Sequence, residues 1–475
     1  MLSKTDFMLF LESPMHLWAK THDQIELKLS SLHEQHLIQQ GQKVEALAKE
    51  YIETFLMPLY EAPRLLWQPD YNDGKYEIRA DALIWDKSSG VYDLYEIKSS
   101  TSIRRDHEYD VTFQVLLLEE ILDLRRIYIL HIDNNYQLGE NLDLEQFFSL
   151  EEISTKVEKR REDVAVLRQK ALDVTQMTMP DPKFACTKPN TCSYPQLCHP
   201  DLPENPIYDI PYIGRKASQL REMGITEIQA IPASFPLNAK QQKHILAVKS
   251  GNPLIDEEAI QKSLSSLTYP LHFLDYETFN PAIPLFPGYH PYEHIVFQYS
   301  LHVIEKPGDE AEHCDCLVTD KKDPAPMIVP HLLDNLQPEG SVIVWNQSFE
   351  ANRNKDLSSH CPAYQAQLER INDRMYDLML IFKDGLYVHP DFHGSASLKA
   401  VLPVLCPELS YDELEISNGE EAMMTWYWLQ TANLSQSAMK QIRSAMKEYC
   451  KLDTYAMIAI LEKLYKVIRR LPNES

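Results

Sequence analysis

Apolar and polar positions change rhythm several times along the chain, and each change predicts an element. Residues 1 to about 55 read as helical: SKTDF offers a helix start, and Gln24 to Ala48 is rich in Leu, Glu, Gln and Lys. From Leu65 the pattern turns to strands. EIRADALIW, the polar turn DKSSG and VYDLYEIKSS read as two strands of a hairpin. A helix over about Glu108 to Leu124, a strand in RRIYILHID and a charged helix over 150–172 follow. IPYIGRKASQLREMG and LNAKQQKHILAVKSG read as short helices joined by Gly-containing turns. From Tyr269 a second α/β pattern begins, with strands in LHFLDYETF, HIVFQYSLHVIE and CDCLVTD and a helix in MIVPHLLDNLQ. GSVIVWNQSFE reads as a strand running into a helix, and SLKAVLPVL and a long final helix complete the pattern. The expected organisation is an α/β domain over 1–200, a helical connector over 201–266 and a second α/β domain over 267–475.

The densest candidate chemistry lies in the last of these. Asp275 and Glu277 are two apart at the end of the apolar run LHFLDYETF, so on a strand they share one face. Tyr449 and Asp453 are spaced i, i+4 in the final helix and share a face there. Carboxylates brought together repel unless cations sit between them, and such a site suits hard, oxygen-loving metals such as Mg²⁺ or Mn²⁺.

The N-terminal hairpin carries a second set. It brings Asp81 near Glu96, and Glu96 and Lys98 share a strand face. Two carboxylates can hold Mg²⁺ while a lysine neutralises charge at a phosphate or positions a water; the competing reading is a cross-strand salt bridge on a solvated face. With Glu96-Ile97-Lys98 ending an apolar strand and Gln114 on the next helix, the segment resembles the RecB-like branch of the PD-(D/E)XK nucleases. That resemblance implies a restriction-endonuclease-like fold with metal ligands at Asp81 and Glu96 and catalytic roles for Lys98 and Gln114. Glu45, in GQKVEALA, falls where many relatives place a further ligand. Leu118 stands where a tyrosine is frequent.

Many RecB-like relatives also hold an iron–sulfur cluster with one N-terminal and three C-terminal cysteines. Here Cys186, Cys192 and Cys198 would be the C-terminal trio, but Ser13-Pro14 occupies the N-terminal place. His199 would then be a fourth ligand, giving a Cys₃His zinc site or an altered cluster; the plainer reading is three reduced cysteines in a loop.

The C-terminal part resembles the DEDD exonucleases of the ribonuclease H-like superfamily, in the subgroup with a tyrosine in the last motif. Asp275 and Glu277 match the first motif, Asn346 to Glu350 the second with Glu350 replacing an aspartate, and Tyr449 and Asp453 the third. The resemblance implies metal ligation by Asp275, Glu277, Glu350 and Asp453, a water-orienting role for Tyr449, and release of nucleotides from a 3′ end. The whole order resembles an uncharacterised bacterial family that fuses a RecB-like domain to an exonuclease-like one. Turns such as Tyr212-Ile213-Gly214 and Met223-Gly224-Ile225 in the connector suit either a helix-hairpin-helix-like module facing phosphates or a plain spacer.

Length and charge refine this picture. A chain of 475 residues is long enough for two large cores. A net charge of -24 argues against unspecific attraction to polyanions, so a DNA or RNA partner would need local basic patches and bound metal. The cluster Lys156, Lys159, Arg160, Arg161, Arg168 and Lys170 is one such patch, or else a solvated helix face. No apolar run approaches the ~20 residues of a membrane span, and eight cysteines, none before residue 186, do not form the dense framework of a small secreted domain. The expectation is a cytoplasmic, metal-dependent nuclease without a membrane partner; the rival is a non-catalytic nucleic-acid-binding scaffold built on nuclease folds. A glycosidase reading leaves Lys98 and Tyr449 without roles.

Overall fold

Ser3 starts helix α1 (Lys4–Glu12) with a reciprocal cap: its hydroxyl accepts from the Asp6 N–H, and the Asp6 carboxylate accepts from the Ser3 N–H. Pro14 opens α2 (Pro14–Thr21), where its missing N–H costs nothing. Helix α3 is Leu32–Tyr51. The structure, a computed structural model, describes residues 1–25, 32–186, 189–432 and 435–468. Part of the helix expected over Gln24–Ala48 lies outside the described residues.

A five-stranded sheet follows, with β1 (Arg64–Trp67), β2 (Ala82–Trp85), β3 (Tyr92–Lys98), β4 (Leu124–Ile132) and β5 (Phe148–Glu152) adjacent in that order. The pairs are antiparallel except β3 with β4, whose parallel connection runs through helix α4 (Arg105–Leu118). Leu83, Leu94, Ile127 and Ile129 pack on one face with Val111 and Val115 of α4 and Val157 and Val164 of α5 (Ser154–Thr175). Ala82, Ile84, Leu130 and Ile132 pack on the other with Val44 and Ala48 of α3. Burial on both faces explains the continuous apolar run Ile127–Leu130 within β4.

EIRADALIW is not one strand. Tyr76–Arg79 belongs to a separate three-stranded sheet with Asp70–Asn72 and Leu2–Ser3, and the chain changes sheets at Ala80-Asp81 before resuming as β2. Released from a ladder, Asp81 uses its carbonyl to accept from the Gln68 N–H (2.9 Å) and its carboxylate to accept from the Ile97 N–H (2.8 Å). Likewise the segment expected to be helical from 150 begins as β5, because Ile153 N–H still bonds Ile127 O at 2.8 Å.

The described chain divides into two compact units: Met1–Asp201 with Pro281–Glu293, and Leu202–Asn280 with His294–Ser475. The residues expected to form a connector thus belong to the second unit, and the Pro-rich loop at 281–293 belongs to the first. That loop is held by bonds from Leu138 N–H to Tyr289 O (3.0 Å), from Gly288 N–H to Leu138 O (2.7 Å) and from the Tyr292 hydroxyl to Ser99 O. Ala282 is fully buried in the core on the α3 side of the sheet.

In the second unit, α6 (Arg215–Glu222) and α7 (Ala239–Ser250) close over Ile207, Ile210, Leu220, Ile228 and Val248. Gly394, at φ +71°, passes so close to Asp209 that a Cβ would lie 1.7 Å from its carbonyl oxygen. Beside it His393 Nδ1 lies 2.9 Å from the Asp209 carboxylate.

The sheet of this unit combines β6 (Leu271–Phe279), β7 (Ile295–Ile304), β8 (Glu312–Leu317), β9 (Ser341–Val344) and β10 (Met375–Asp377) in the order β8-β7-β6-β9-β10. β6 to β8 form an antiparallel meander; β9 and β10 run parallel to β6, reached through α8 (Ala325–Asn335) and α9 (Gln347–His360). Leu274 and Tyr276 point into a core with Ile328, Leu332 and Leu357. The opposite face receives α12 (Gln436–Ile468), with α10 (Leu398–Leu405) and α11 (Gly419–Thr431) beside it. Among the described residues, no helix is long and apolar enough to cross a membrane.

Candidate metal centres

The first unit gathers its charged side chains at the C-terminal end of β3. Glu96 is fully buried, and three groups converge on its carboxylate: Lys98 Nζ at 2.8 Å, Lys4 Nζ at 2.9 Å and Gln114 Nε2 at 2.8 Å. Both lysines also reach Asp110, Lys98 through a short hydrogen bond and Lys4 at 3.6 Å. Burial alone would raise Glu96, but the two lysines hold it well below the usual carboxylate range. Asp81 takes the opposite course: burial and then the Glu96 charge push it up to about 7. For the lysines, burial is outweighed by Glu96 and Asp110, so both ammonium groups are held above their ordinary range.

Sequence reasoning thus located Asp81, Glu96, Lys98 and Gln114 in one network and missed Lys4 and Asp110. Asp110 had a signal, since it precedes Gln114 by one helical turn. Lys4 had none, because its partner lies 92 residues away. Glu45 accepts a hydrogen bond from Gln68, which flanks Asp81 through its backbone. The competing cross-strand salt bridge on a solvated face is not what forms: Lys98 pairs with Glu96 of its own strand, and the pair is buried. A cleft beside it is lined by Lys98, Ser99, Arg104, His107, Asp110 and Tyr292. The basic residues of α5 turn mostly to acids: Arg160 to Glu108 (2.9 Å), Arg161 to Glu119 (2.6 Å), Arg168 to Glu120 (3.4 Å) and Lys156 to Glu151 (3.8 Å). Lys159 and Lys170 remain exposed.

The second unit brings together the residues of the D-x-E, second-helix and Y-x-x-x-D patterns. Alternation along β6 sends Leu274 and Tyr276 to the core and Asp275 and Glu277 to the face covered by α12. The helix is keyed to that face by polar contacts: Ser300, the register partner of Asp275, lies 2.8 Å from the Thr454 hydroxyl, and Gln298 Nε2 donates to Met446 O at 3.1 Å. Cys450, between Tyr449 and Asp453, directs its thiol at Asp275 Oδ2, 3.7 Å away. Ligand atoms of Asp275, Glu277 and Cys450 all lie within 4.8 Å of one another. Glu277 Oε2 and the Tyr449 hydroxyl meet around the first residue of α11, at 3.8 and 3.9 Å from the place a Cβ on Gly419 would take. Glu350 enters from the first turn of α9, whose Asn346 cap accepts from the Phe349 N–H.

Electrostatically this cluster differs from the first. Burial, then mutual repulsion, raises Asp275, Glu277 and Glu350 well above the usual carboxylate range. Burial raises Asp453 to about 6, although Tyr411 donates to its Oδ1 at 2.5 Å and Lys399 attracts it. Lys399 also acts on Glu277, and its ammonium lies 5.5 and 5.8 Å from the rings of Tyr411 and Tyr449. Tyr411 and Lys399 were not singled out as site residues from the sequence: Lys399 lies in SLKAVLPVL, read there only as a helix, and Tyr411 on a segment with no motif of its own. Glu350 Oε2 is buried without a hydrogen-bond partner. The first cluster carries two lysines against Asp81, Glu96 and Asp110; this one sets four carboxylates against Lys399 and Arg353, the latter already paired with Asp356 at 2.8 Å. An all-oxygen, under-neutralised set with an orphan carboxylate oxygen fits Mg²⁺ or Mn²⁺. Cys450, its thiol raised by burial and by the acids around it, stays neutral as a donor to Asp275.

The three cysteines of the first unit also converge, but their fourth neighbour is His16 rather than His199. Ligand atoms of His16, Cys186, Cys192 and Cys198 lie within 4.8 Å of one another. His199 stands outside that set, with Nε2 3.5 Å from Cys186 Sγ. His16 was not considered in the sequence because it lies 176 residues from Cys192.

Residues 272–397 match the model of a domain of unknown function, DUF2779. An uncharacterised protein of Mycoplasma genitalium is 25% identical over 215 residues, which cover 42% of this chain and 32% of that protein. An uncharacterised protein of Ureaplasma parvum is 27% identical over 218 residues, covering 41% and 31%. The chain spans about a third of the length of these curated relatives. A solved structure titled "Crystal structure of SSO0001" aligns with 42% of the chain and 86% of its own at 15% identity, with a TM-score of 0.27.

Proposed function

We propose that the chain is a metal-dependent nuclease with two separate acidic sites, one PD-(D/E)XK-like and one DEDD-like, acting on phosphodiester bonds of DNA or RNA. The observation that carries the proposal is the convergence of Asp275, Glu277, Glu350 and Asp453 beside Tyr449 with too little positive charge to balance them. These four carboxylates would hold Mg²⁺ or Mn²⁺, which supplies charge neutralisation at the phosphate and a more acidic water.

The protein's own groups divide the remaining work. Burial, with Asp453 and Glu277 next, pushes the Tyr449 phenol far above neutral pH, so it keeps its proton and orients a water by hydrogen bonding instead of acting as a base. Tyr411 fixes the Asp453 carboxylate, and Lys399 offers positive charge beside Tyr449. In the first unit Gln114 orients Glu96, Lys98 gives a phosphate a cation at the cleft, and Lys4, outside the cleft lining, holds Glu96 and Asp110.

The test is cleavage of end-labelled single- and double-stranded DNA and RNA with Mn²⁺ or Mg²⁺ by wild type, Lys98→Ala and Asp275→Ala. Metal-dependent cleavage lost in either variant supports the reading and names the responsible unit. Binding of the same substrates without cleavage under any condition refutes catalysis in favour of a scaffold.

A further inference from the structure

The RecB resemblance implies an iron–sulfur cluster on four cysteines, and the residues present do not fit one. Ser13 stands near the expected N-terminal cysteine and spends its hydroxyl on Phe184 O, 2.7 Å away. The fourth ligand available is the imidazole of His16, in the first turn of α2 and fully buried.

The spacing of the set is equally informative. In a cubane cluster each cysteine binds a different iron, so the ligand sulfurs are held apart by the whole metal–sulfide core. A single tetrahedral ion with bonds of about 2.0–2.3 Å instead draws its ligand atoms to roughly 3.5–3.8 Å from one another. Here all four ligand atoms lie within 4.8 Å, and His16 Nε2 is 3.2 Å from Cys192 Sγ.

The surroundings of each ligand are those of a mononuclear site. His16 Nδ1 is buried, makes no hydrogen bond and faces Glu12 Oε1 at 3.4 Å. The charge of that carboxylate favours the tautomer protonated at Nδ1, which leaves Nε2 free to bind a metal. Glu12 is itself held by the Ser193 hydroxyl at 3.0 Å. The Tyr194 N–H points at Cys192 Sγ (3.4 Å) and His199 Nε2 at Cys186 Sγ (3.5 Å), both placed to stabilise thiolates.

We infer that His16, Cys186, Cys192 and Cys198 bind one tetrahedral Zn²⁺-class ion in place of an iron–sulfur cluster, with His199 outside the ligand set. The ion ties Cys186, Cys192 and Cys198 to α2, where Met15, Trp18, Phe184 and Leu197 already form a small apolar cluster. This inference is independent of the nuclease reading.

The experiment is metal and sulfide analysis of the full chain purified anaerobically, followed by replacement of the metal with Co²⁺ and visible spectroscopy. Expected are one zinc per chain, no acid-labile sulfide, and for the cobalt form intense tetrahedral d–d bands with thiolate charge transfer. His16→Ala should lose the metal and the bands, His199→Ala should keep both, and His16→Cys should keep the metal with a shifted spectrum. Iron with stoichiometric sulfide, a chain free of metal, or bands lost in His199→Ala but kept in His16→Ala would each overturn the assignment. The wild-type analysis decides the nuclearity even if a variant fails to fold.

Discussion

Asp453→Asn tests whether the second carboxylate cluster stores unfavourable charge. Asp453 is buried, and its folded pKa is raised from 3.8 to about 6. The folded protein therefore keeps a proton that the unfolded chain releases, so this group's contribution to stability is greatest below pH 3.8, falls as pH rises to about 6, and is fully lost above that. A rise of that size corresponds to about 3 kcal/mol at pH 8. Asparagine keeps the shape and an oxygen for the Tyr411 hydroxyl but carries no charge. In EDTA at pH 8 the variant should therefore be more stable than wild type by about 3 kcal/mol, or roughly 6–12 °C in the melting temperature of a domain of this size. The gain should vanish near pH 4, where both side chains are neutral. Mn²⁺ should reverse the order at pH 8, because wild type gains a ligand-bound state that the variant binds weakly. Thermal unfolding followed by tryptophan fluorescence, with and without Mn²⁺ at both pH values, reads all of this. If Asp453→Asn in EDTA is no more stable than wild type at pH 8, or equally stabilised at pH 4, the electrostatic account is wrong.

Lys4→Ala removes one of the two cations on Glu96 and Asp110; Lys98 still reaches both, which holds the expected loss to about 2–3 kcal/mol in urea unfolding. A loss below about 0.5 kcal/mol would make Lys4 an ordinary surface pair. Gly394→Ala places a methyl 1.7 Å from Asp209 O at a positive φ, and circular-dichroism melts should show at least about 3 kcal/mol of destabilisation; an unchanged melt would mean that the loop simply moves aside.

Local periodicity carried much of the site. The alternation in LHFLDYETF and the i, i+4 spacing of Tyr449 and Asp453 are properties of one strand and one helix, so each could be read where it stands. What escaped was supplied across the fold. Lys4 neutralises Glu96, His16 joins three cysteines and Tyr411 steadies Asp453, all from segments whose own pattern says nothing of their partners, while Lys399 attracts Asp453 from a helix legible only as a helix. The misread strand EIRADALIW has a similar origin, since β-propensity does not report that a chain switches sheets at Asp81. The α5 basic cluster shows the converse: a charge run legible as a patch is largely consumed by acids of its own unit.

The loop at 281–293 makes the first unit discontinuous in sequence. A fragment ending at Asp201 would lack Ala282, a fully buried part of its core, and the Tyr292 hydroxyl that caps the Ser99 carbonyl next to Lys98. The chain therefore cannot be cut into two interchangeable cassettes at any single peptide bond. A transplanted first unit must carry these thirteen residues with it, and its final folding must wait until the ribosome has passed residue 293.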